Sequence, residues 1–518
     1  MLFLDRPCDG LQNSQTPDPA KAWYSRVSLQ PFTHLGRTVS ERGWRGLARG
    51  PHSGGGGHGR DAGGGDVDAE ECEEEPMWEE LEKDVEAFFV AGERREMDVM
   101  IVHPVVRERG VSPHEAEVLV SEAMALVGTL PGWAVRDCVL LRSRNPGSKF
   151  VFGKGNFKTL TDKVRASPRL SAVFVNMERL TVAQEICLEE AWGLPVLDRY
   201  SLVLRIFQLH ARTREAKLQI ALASIPLMRS RMRKEHKHLD QQGGGSRYLK
   251  GPGETALETQ RRVLEQREQR LRRALGTVAR KRSLLRSQRS RAELPVVALV
   301  GYTNSGKTTL ARALTHDLSL EPHDAVFATL DVTAHAGLLP GRTTALYVDT
   351  VGFLSRLPHG LVHAFSATLE DVLHSDVIVH VRDISNTDTE RQRDTVLHVL
   401  AQLGLSEAAR SRILEVHNKI DLMPQRELSA GVGVQVSALH EWGLEELKER
   451  VQEAVLIATN KAVMELSIPL EGEHLAWLYR EAAVQDVRVI PESSTAHVSV
   501  IISQAALGKF YKRFGRSS

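Results

Sequence analysis

The chain has 518 residues, 42% of them hydrophobic and 26% charged, with a net charge of +1. That length exceeds one ordinary core, so two or three domains plus unfolded segments are expected, and the balanced charge excludes a uniformly basic nucleic-acid binder without excluding local basic regions. The four cysteines, Cys8, Cys72, Cys138 and Cys187, form no CxxC pair and have no histidine cluster at zinc spacing, which argues against a disulfide framework or zinc site and for a reducing interior; no apolar run is long enough to span a bilayer, so no membrane partner is expected.

In chain order, residues 1–75 read as an unfolded leader. Its first part lacks periodicity, is rich in Gly, Arg, Ser and Pro, and ends in GGGGHGRDAGGG. Arginine outnumbers acids there, as in a mitochondrial transit peptide, whereas Asp5 and Asp9 suit a plain tail; composition leaves both open. Asp66 to Glu86 is acidic and reads as a solvated linker.

Residues 97–200 alternate strand and helix patterns. DVMIVHPVV, WAVRDCVLLRS, SAVFVN and LPVLD read as strands; PHEAEVLVSEAMALV, NFKTLTDKV and TVAQEICLEEAW read as helices. Such βαβ alternation predicts a small parallel sheet with helices on it. Gly153-Lys154-Gly155 falls at a strand-to-helix turn. A tight turn that needs glycine is the ordinary reading, and a phosphate at the helix N-terminus the functional one.

Residues 201–291 carry two apolar seams. Leu202, Ile206, Leu209, Thr213, Ala216, Ile220, Ala223 and Leu227 alternate steps of four and three, and Leu257, Leu264, Leu271, Val278 and Leu285 recur every seventh residue. Two helices packed seam to seam as an antiparallel hairpin are predicted, joined by a Gly-rich loop over 241–255. RSRMRKEHKH and ARKRSLLRSQRSR make the outer faces basic. A solvated face is the bland reading, but the near absence of acids in the second run favours contact with RNA phosphates. After the next domain, residues 465–514 read as a small α+β module: a strand and helix in IPLEGEHLAWLYREAA, a strand in AHVSVIIS and a frayed basic-aromatic end in GKFYKRFGR.

Residues 295–460 carry the chemistry. The apolar strand PVVALV runs directly into Gly301-Tyr302-Thr303-Asn304-Ser305-Gly306-Lys307-Thr308, a GxxxxGK[ST] loop in strand–loop–helix context. The glycines let backbone N–H groups wrap phosphates, Lys307 reaches the outer phosphates and the Thr308 hydroxyl ligates magnesium. In LYVDTVGF, Asp349 ends a second apolar strand and is placed to hold magnesium through water, and Gly352 follows Thr350 and Val351 as a γ-phosphate sensor. Phe327, Ala328, Thr329, Leu330 and Asp331 form FATLD, in which Thr329 reads as a switch threonine completing the metal shell with GTP. Lys307, Thr329 and Gly352 are therefore the candidate catalytic residues, and Thr308, Thr329 and Asp349 the candidate metal ligands. Asn418, Lys419, Ile420 and Asp421 select guanine, because a carboxylate accepts both its ring N–H and its amino group. Ser437, Ala438 and Leu439 offer backbone to the guanine oxygen. All these motifs in one order, each after an apolar strand, imply a GTPase with GTP as substrate and Mg2+ as cofactor. Phe353 stands where Ras-like enzymes keep a water-orienting glutamine, so intrinsic hydrolysis is expected to be slow.

The fold class that follows is α/β: a P-loop GTPase domain with a doubly wound, mostly parallel sheet, preceded by a small α/β domain with a long antiparallel helical hairpin and followed by a small α+β module. GYTNSGKTTL, FATLD, DTVGFLSRLP and FSATLEDV, with HARTREAKLQIALA, GPGETALETQRR and FGKGN upstream, resemble the HflX family of ribosome-associated GTPases from about Asp98 to the C-terminus. FATLDVTAHAG departs from the bacterial pattern, as do Ala256 and Gln260, so the switch and loop are expected to answer to a different ribosome. VTAHAG and the leader are most similar to the family's animal mitochondrial branch, which implies the mitochondrial matrix, with the cytoplasm as alternative. The resemblance implies a monomer that docks its N-terminal domain and hairpin on the rRNA of the large ribosomal subunit, points its loop at the peptidyl transferase centre and separates ribosomes into subunits. An assembly factor for the large subunit and a nucleotide-operated switch without ribosomal work are the other readings; the basic hairpin speaks against the last.

Overall fold

The computed structural model describes residues 96–106, 113–241, 256–291, 294–320, 327, 332–341, 343–355, 361, 366–423, 433–490 and 494–515. The leader, the loop beyond Gln241, and Ala328 to Asp331 lie outside the described residues. None of the described helices is long and apolar enough to cross a membrane.

The first unit is built from β1 (Met97–Val106), α1 (Pro113–Gly128), β2 (Trp133–Ser143), α2 (Lys154–Arg165), β3 (Ala172–Val175), α3 (Val182–Trp192) and β4 (Val196–Leu197). All four strands pair in parallel in the order β2-β1-β3-β4. Alternation along β1 sorts two cores: Val99 and Ile101 face one with Ala123, Leu126 and Phe207, while Met100 and Val102 face the other with Leu160, Leu188 and Trp192. A parallel sheet covered on both faces needs such continuous apolar strands. Thr181 starts α3 with a capping box closed by Gln184. Gly153 adopts φ −64° and ψ 153°, and a Cβ at Gly153 or Gly155 would meet nothing within 4 Å. The turn therefore does not require glycine, contrary to the sequence reading.

The first arm is two helices, α4 (Arg199–His210) and α5 (Arg214–Gln241), not one. Ala211 is extended, and the Thr213 hydroxyl accepts from the Ala216 N–H at 3.2 Å. The seam read on this arm faces elsewhere than expected: Leu202, Ile206, Ala216, Ile220 and Ala223 pack in the core of the N-terminal unit, and Leu209 is exposed. The opposite stripe of α5, Leu218, Ala221, Ile225 and Met228, meets Leu264, Leu271 and Ala274 of α6 (Ala256–Arg291). An amphipathic pattern tells which residues are buried but not against what, and α5 is buried on two sides. Arg229 pairs with Glu268 at 2.6 Å and Arg282 with Glu215, so the arms run antiparallel.

The central sheet comprises β5 (Val296–Gly301), β6 (Thr333–Leu338), β7 (Thr344–Asp349), β8 (Val377–Asp383), β9 (Leu414–Asn418) and β10 (Val434–Gln435), in the order β10-β9-β8-β5-β7-β6. Every pairing is parallel except β6 with β7. Its helices are α7 (Lys307–Thr315), α8 (Ser366–Leu373), α9 (Thr389–Gln402), α10 (Glu407–Arg410) and α11 (Leu444–Ala458). Val297 and Leu299 of β5 face α7 and α11, and Ala298 and Val300 face α8 and α9. The chain ends in β11 (Lys461–Pro469), α12 (His474–Glu481), β12 (Ala483–Ile490), β13 (Thr495–Ser503) and α13 (Gln504–Phe514), an antiparallel sheet ordered β11-β13-β12. β12 escapes the sequence pattern because it is a largely exposed edge strand interrupted by Asp486 and Arg488. The basic end is not frayed: Ser503 caps α13, and Phe510 and Phe514 pack on Trp477 and His474 with ring centroids 5.4 and 4.3 Å apart.

Candidate functional site

The parallel strands β5, β7, β8, β9 and β10 end on one edge of the central sheet, the edge at which open α/β sheets hold ligands. Between β5 and α7, the loop Tyr302–Gly306 turns through two left-handed residues, Asn304 at φ 59° and Gly306 at φ 90°. A Cβ on Gly306 would also lie 2.2 Å from the Asn418 side chain, so this position admits only glycine. The Lys307 ammonium is buried and donates to the carbonyl oxygens of Tyr302 at 2.9 Å and Gly301 at 3.3 Å. Burial holds its pKa down at about 8, against the pull of Asp349.

Asp349, at the end of β7, is fully buried and its carboxylate accepts from the Thr308 hydroxyl at 2.7 Å. This oxygen pair beside a backbone cradle suits a hard divalent cation that keeps most of its waters. No cluster of three or more His, Cys, Asp or Glu among the described residues forms a protein cage for a metal. The chain after Asp349 folds back over the loop. Thr350 donates its hydroxyl to the Leu299 carbonyl at 2.7 Å, the Phe353 N–H donates to the Gly301 carbonyl at 3.0 Å, and the Thr303 N–H donates to the Phe353 carbonyl at 2.7 Å. Val351 is buried on the side of the N-terminal unit. A Cβ on Gly352 would lie 2.8 Å from the Thr303 Cα and 3.0 Å from the Lys307 Nζ, so Gly352 lies hard against the lysine. Phe353 is 2% exposed and its ring sits in the core with Val300, Leu369 and Val372.

At the far end of the edge, the Asn418 amide donates to the Ser305 carbonyl at 2.9 Å and accepts from the Ala438 N–H at 3.0 Å. One side chain thus ties the phosphate loop to the Ser437-Ala438-Leu439 loop. Ser437 donates its hydroxyl to the Asp421 carboxylate at 2.6 Å. Lys419 is left-handed at φ 66° and pairs with Asp383 at 2.8 Å, just before Ile420 opens a short 3-10 turn. Leu439 is exposed. Of the FATLD residues only Phe327 is described; its ring packs edge-on to Phe207 of α4, centroids 4.6 Å apart.

The sequence-predicted loop Gly301–Thr308 and the segments Asp349–Gly352, Asn418–Asp421 and Ser437–Leu439 therefore converge on one edge. Three residues in the same constellation were not read from sequence. Asp383 ends the apolar run VIVHVRD, a signal of the kind that pointed to Asp349. Ser355 and Arg199 meet across 156 residues of chain, and no local pattern marks them.

Three family models match the chain: GTP-binding GTPase N-terminal over residues 117–208, GTP-binding GTPase Middle Region over 210–289, and 50S ribosome-binding GTPase over 296–419. The protein named Putative GTP-binding protein 6 of Xenopus laevis is 50% identical over 446 residues, 84% of this chain and 84% of that protein. GTPase HflX of Magnetococcus marinus is 37% identical over 391 residues, covering 74% of this chain and 88% of its own. A GTP-binding protein of Arabidopsis thaliana, designated chloroplastic, is 38% identical over 321 residues, 56% of this chain and 52% of its own. With relatives this similar over most of its length and a mixed α/β fold carrying a P-loop domain, the chain belongs to the HflX family of ribosome-associated GTPases and is itself a GTPase.

Proposed function

We propose that the chain is a GTP-hydrolysing factor that binds the large ribosomal subunit of an organelle, the mitochondrion, and dissociates ribosomes into subunits. The observation that supports it most is the charge of α6. Arg261, Arg262, Arg270, Arg272, Arg273, Arg280 and Lys281 are exposed along it, while Leu264, Leu271 and Ala274 of its apolar seam pack against α5 and Leu257 and Leu285, at the seam's ends, are exposed. An exposed basic ridge of this length suits a phosphate backbone. The Arg-rich leader and the organellar designation of the Arabidopsis relative support the location. Sucrose-gradient sedimentation of purified monosomes with the protein and GTP tests the reading. Conversion to free subunits is expected. Stable binding to immature large subunits without splitting would favour an assembly role, and no ribosome binding at all would leave only a nucleotide switch.

In this reading Lys307 and the backbone from Gly301 to Thr308 hold the phosphates, and the Gly352 N–H takes the γ-phosphate. Thr308, Thr329 and, through water, Asp349 would hold Mg2+, which would supply positive charge to the outer phosphates. Asp421 accepts from guanine, with Asn418, Ser437 and Ala438 fixing the loops around it. Asp421→Asn is expected to weaken GTP binding by ~10²-fold or more, because buried guanine donors lose their acceptor. A titration with fluorescent GTP giving wild-type affinity would overturn the assignment. Deleting residues 242–255 is expected to leave GTP affinity intact and to impair subunit separation. The reverse pattern would mean that the hairpin serves the nucleotide rather than the ribosome.

A further inference from the structure

Ser355 lies three residues beyond Gly352, and each of its polar groups is held. Its N–H donates to the Tyr302 hydroxyl at 2.7 Å, its carbonyl accepts from the Arg199 guanidinium at 2.7 Å, and its hydroxyl donates to the Glu122 carboxylate. Tyr302 is the second residue of the phosphate loop. Arg199 opens α4 and Glu122 lies on α1, so two of the three partners belong to the N-terminal domain. Arg199 is 1% exposed, pairs with Glu122 and donates to Asn176 at 3.1 Å. Asn176 in turn donates to the Leu119 carbonyl and touches His103, both at 3.1 Å. The result is a continuous polar path from the middle of the N-terminal sheet to the phosphate loop. It is sheathed in an apolar core that joins Val203, Phe207 and Leu126 to Tyr302, Phe327, Val351, Leu354 and Leu361.

We propose that Arg199 and Glu122 are positioning residues for GTP hydrolysis: by fixing Ser355 they hold the Asp349–Ser355 segment, and with it Gly352, against the phosphate loop. The proposal rests on the reading of Gly352 as the γ-phosphate contact. A buried guanidinium tolerates few unmet donors, so moving Ser355 away would leave Arg199 short of an acceptor in a place water cannot reach. The segment is thus confined at Asp349 by β7 and at Ser355 by the other domain, and the residues between lose the freedom to drift. Hydrolysis depends on donors that are already aimed when charge develops, and small misplacements are costly. The same contacts give docking of the N-terminal domain a direct route to the nucleotide.

The test uses the full chain and single-turnover release of phosphate from prebound, radiolabelled GTP, with GTP and GDP affinities and thermal melting measured in parallel. The variants are Arg199→Met, Arg199→Lys and Ser355→Ala. In protein that melts cooperatively, Arg199→Met is expected to slow hydrolysis about 10-fold or more with nucleotide affinities within about twofold of wild type. Arg199→Lys, which keeps the charge near Glu122 but loses the fork, should recover part of the rate. Ser355→Ala removes one hydroxyl and serves if Arg199→Met does not fold; a smaller loss in rate alone is expected. Unchanged rates in both Arg199→Met and Ser355→Ala, or a loss of affinity with the rate intact, would overturn the proposal. Gly352→Ala separates the two levels. If it too hydrolyses normally, the reading of Gly352 is what fails; if it is slow while the Arg199 and Ser355 variants are not, the positioning role alone is wrong.

Discussion

Lys307→Ala is expected to lower GTP hydrolysis by ~10³-fold or more, to the background of the assay, and Thr308→Ala to do nearly as much. The ammonium of Lys307 is buried against two loop carbonyls with Gly352 pressed on it. It can turn to an incoming phosphate with little loss, since neutral carbonyls are its present partners. Alanine leaves the outer phosphates with no charge at the same depth. A pH dependence follows from the same burial. The pKa of Lys307 is held at about 8, below its ordinary value, and bound phosphates push it back up. Binding above that pH therefore takes up a proton, so nucleotide affinity should fall as pH rises through about 8. Lys307→Ala should lack that dependence. Phosphate release within tenfold of wild type by a contaminant-free variant, or an affinity flat from pH 7 to 9 in the parent, would place the phosphates elsewhere.

The parts of this site that were legible in sequence are those where the backbone itself is the instrument. Gly306 must be left-handed and must leave room for Asn418, so no other residue serves, and the spacing to Lys307 follows from the turn into α7. Asp349 and Asn418 each close an apolar strand, which the period of the chain reveals. Contacts between domains carry no such mark. The heptads over 201–227 reported burial correctly for Leu202, Ile206, Ala216, Ile220 and Ala223, but the partner is the N-terminal sheet, and α5 meets α6 through Leu218, Ala221, Ile225 and Met228. Burial on both sides blurs a stripe into a broad apolar band, so the pattern does not tell which side meets α6. Nothing in the local sequence around Arg199 and Glu122 marks them. Their role depends on Ser355, far along the chain, and only the folded arrangement brings them together.

Hydrolysis by the isolated protein should be slow, and large ribosomal subunits should speed it by roughly 10³ to 10⁵, from about 10⁻³ s⁻¹ or below. The cause is Phe353. It occupies the place of the water-orienting glutamine, and its ring is turned away from the phosphate loop into the core with Val300, Leu369 and Val372, while its backbone is tied to Gly301 and Thr303. The side chain at this position points the wrong way to hold a water whatever its chemistry. Phe353→Gln should therefore gain no rate, and should lose stability because an amide would be buried among apolar groups. The missing group must come from outside this position. A surface that binds the exposed basic ridge of α6 is the best source, because α4 joins that hairpin to Phe327 through Phe207, and Arg199 joins the same helix to Ser355. Binding in the GTP state would act first and hydrolysis would release the factor. A nonhydrolysable analogue should then still support subunit separation and leave the protein trapped on the large subunit. The measurement is phosphate release at fixed enzyme with and without large subunits, for the parent and for Phe353→Gln. Rapid turnover by the protein alone, unchanged by subunits, would mean that the catalytic group is internal; acceleration by Phe353→Gln alone would mean that position 353 faces the water after all.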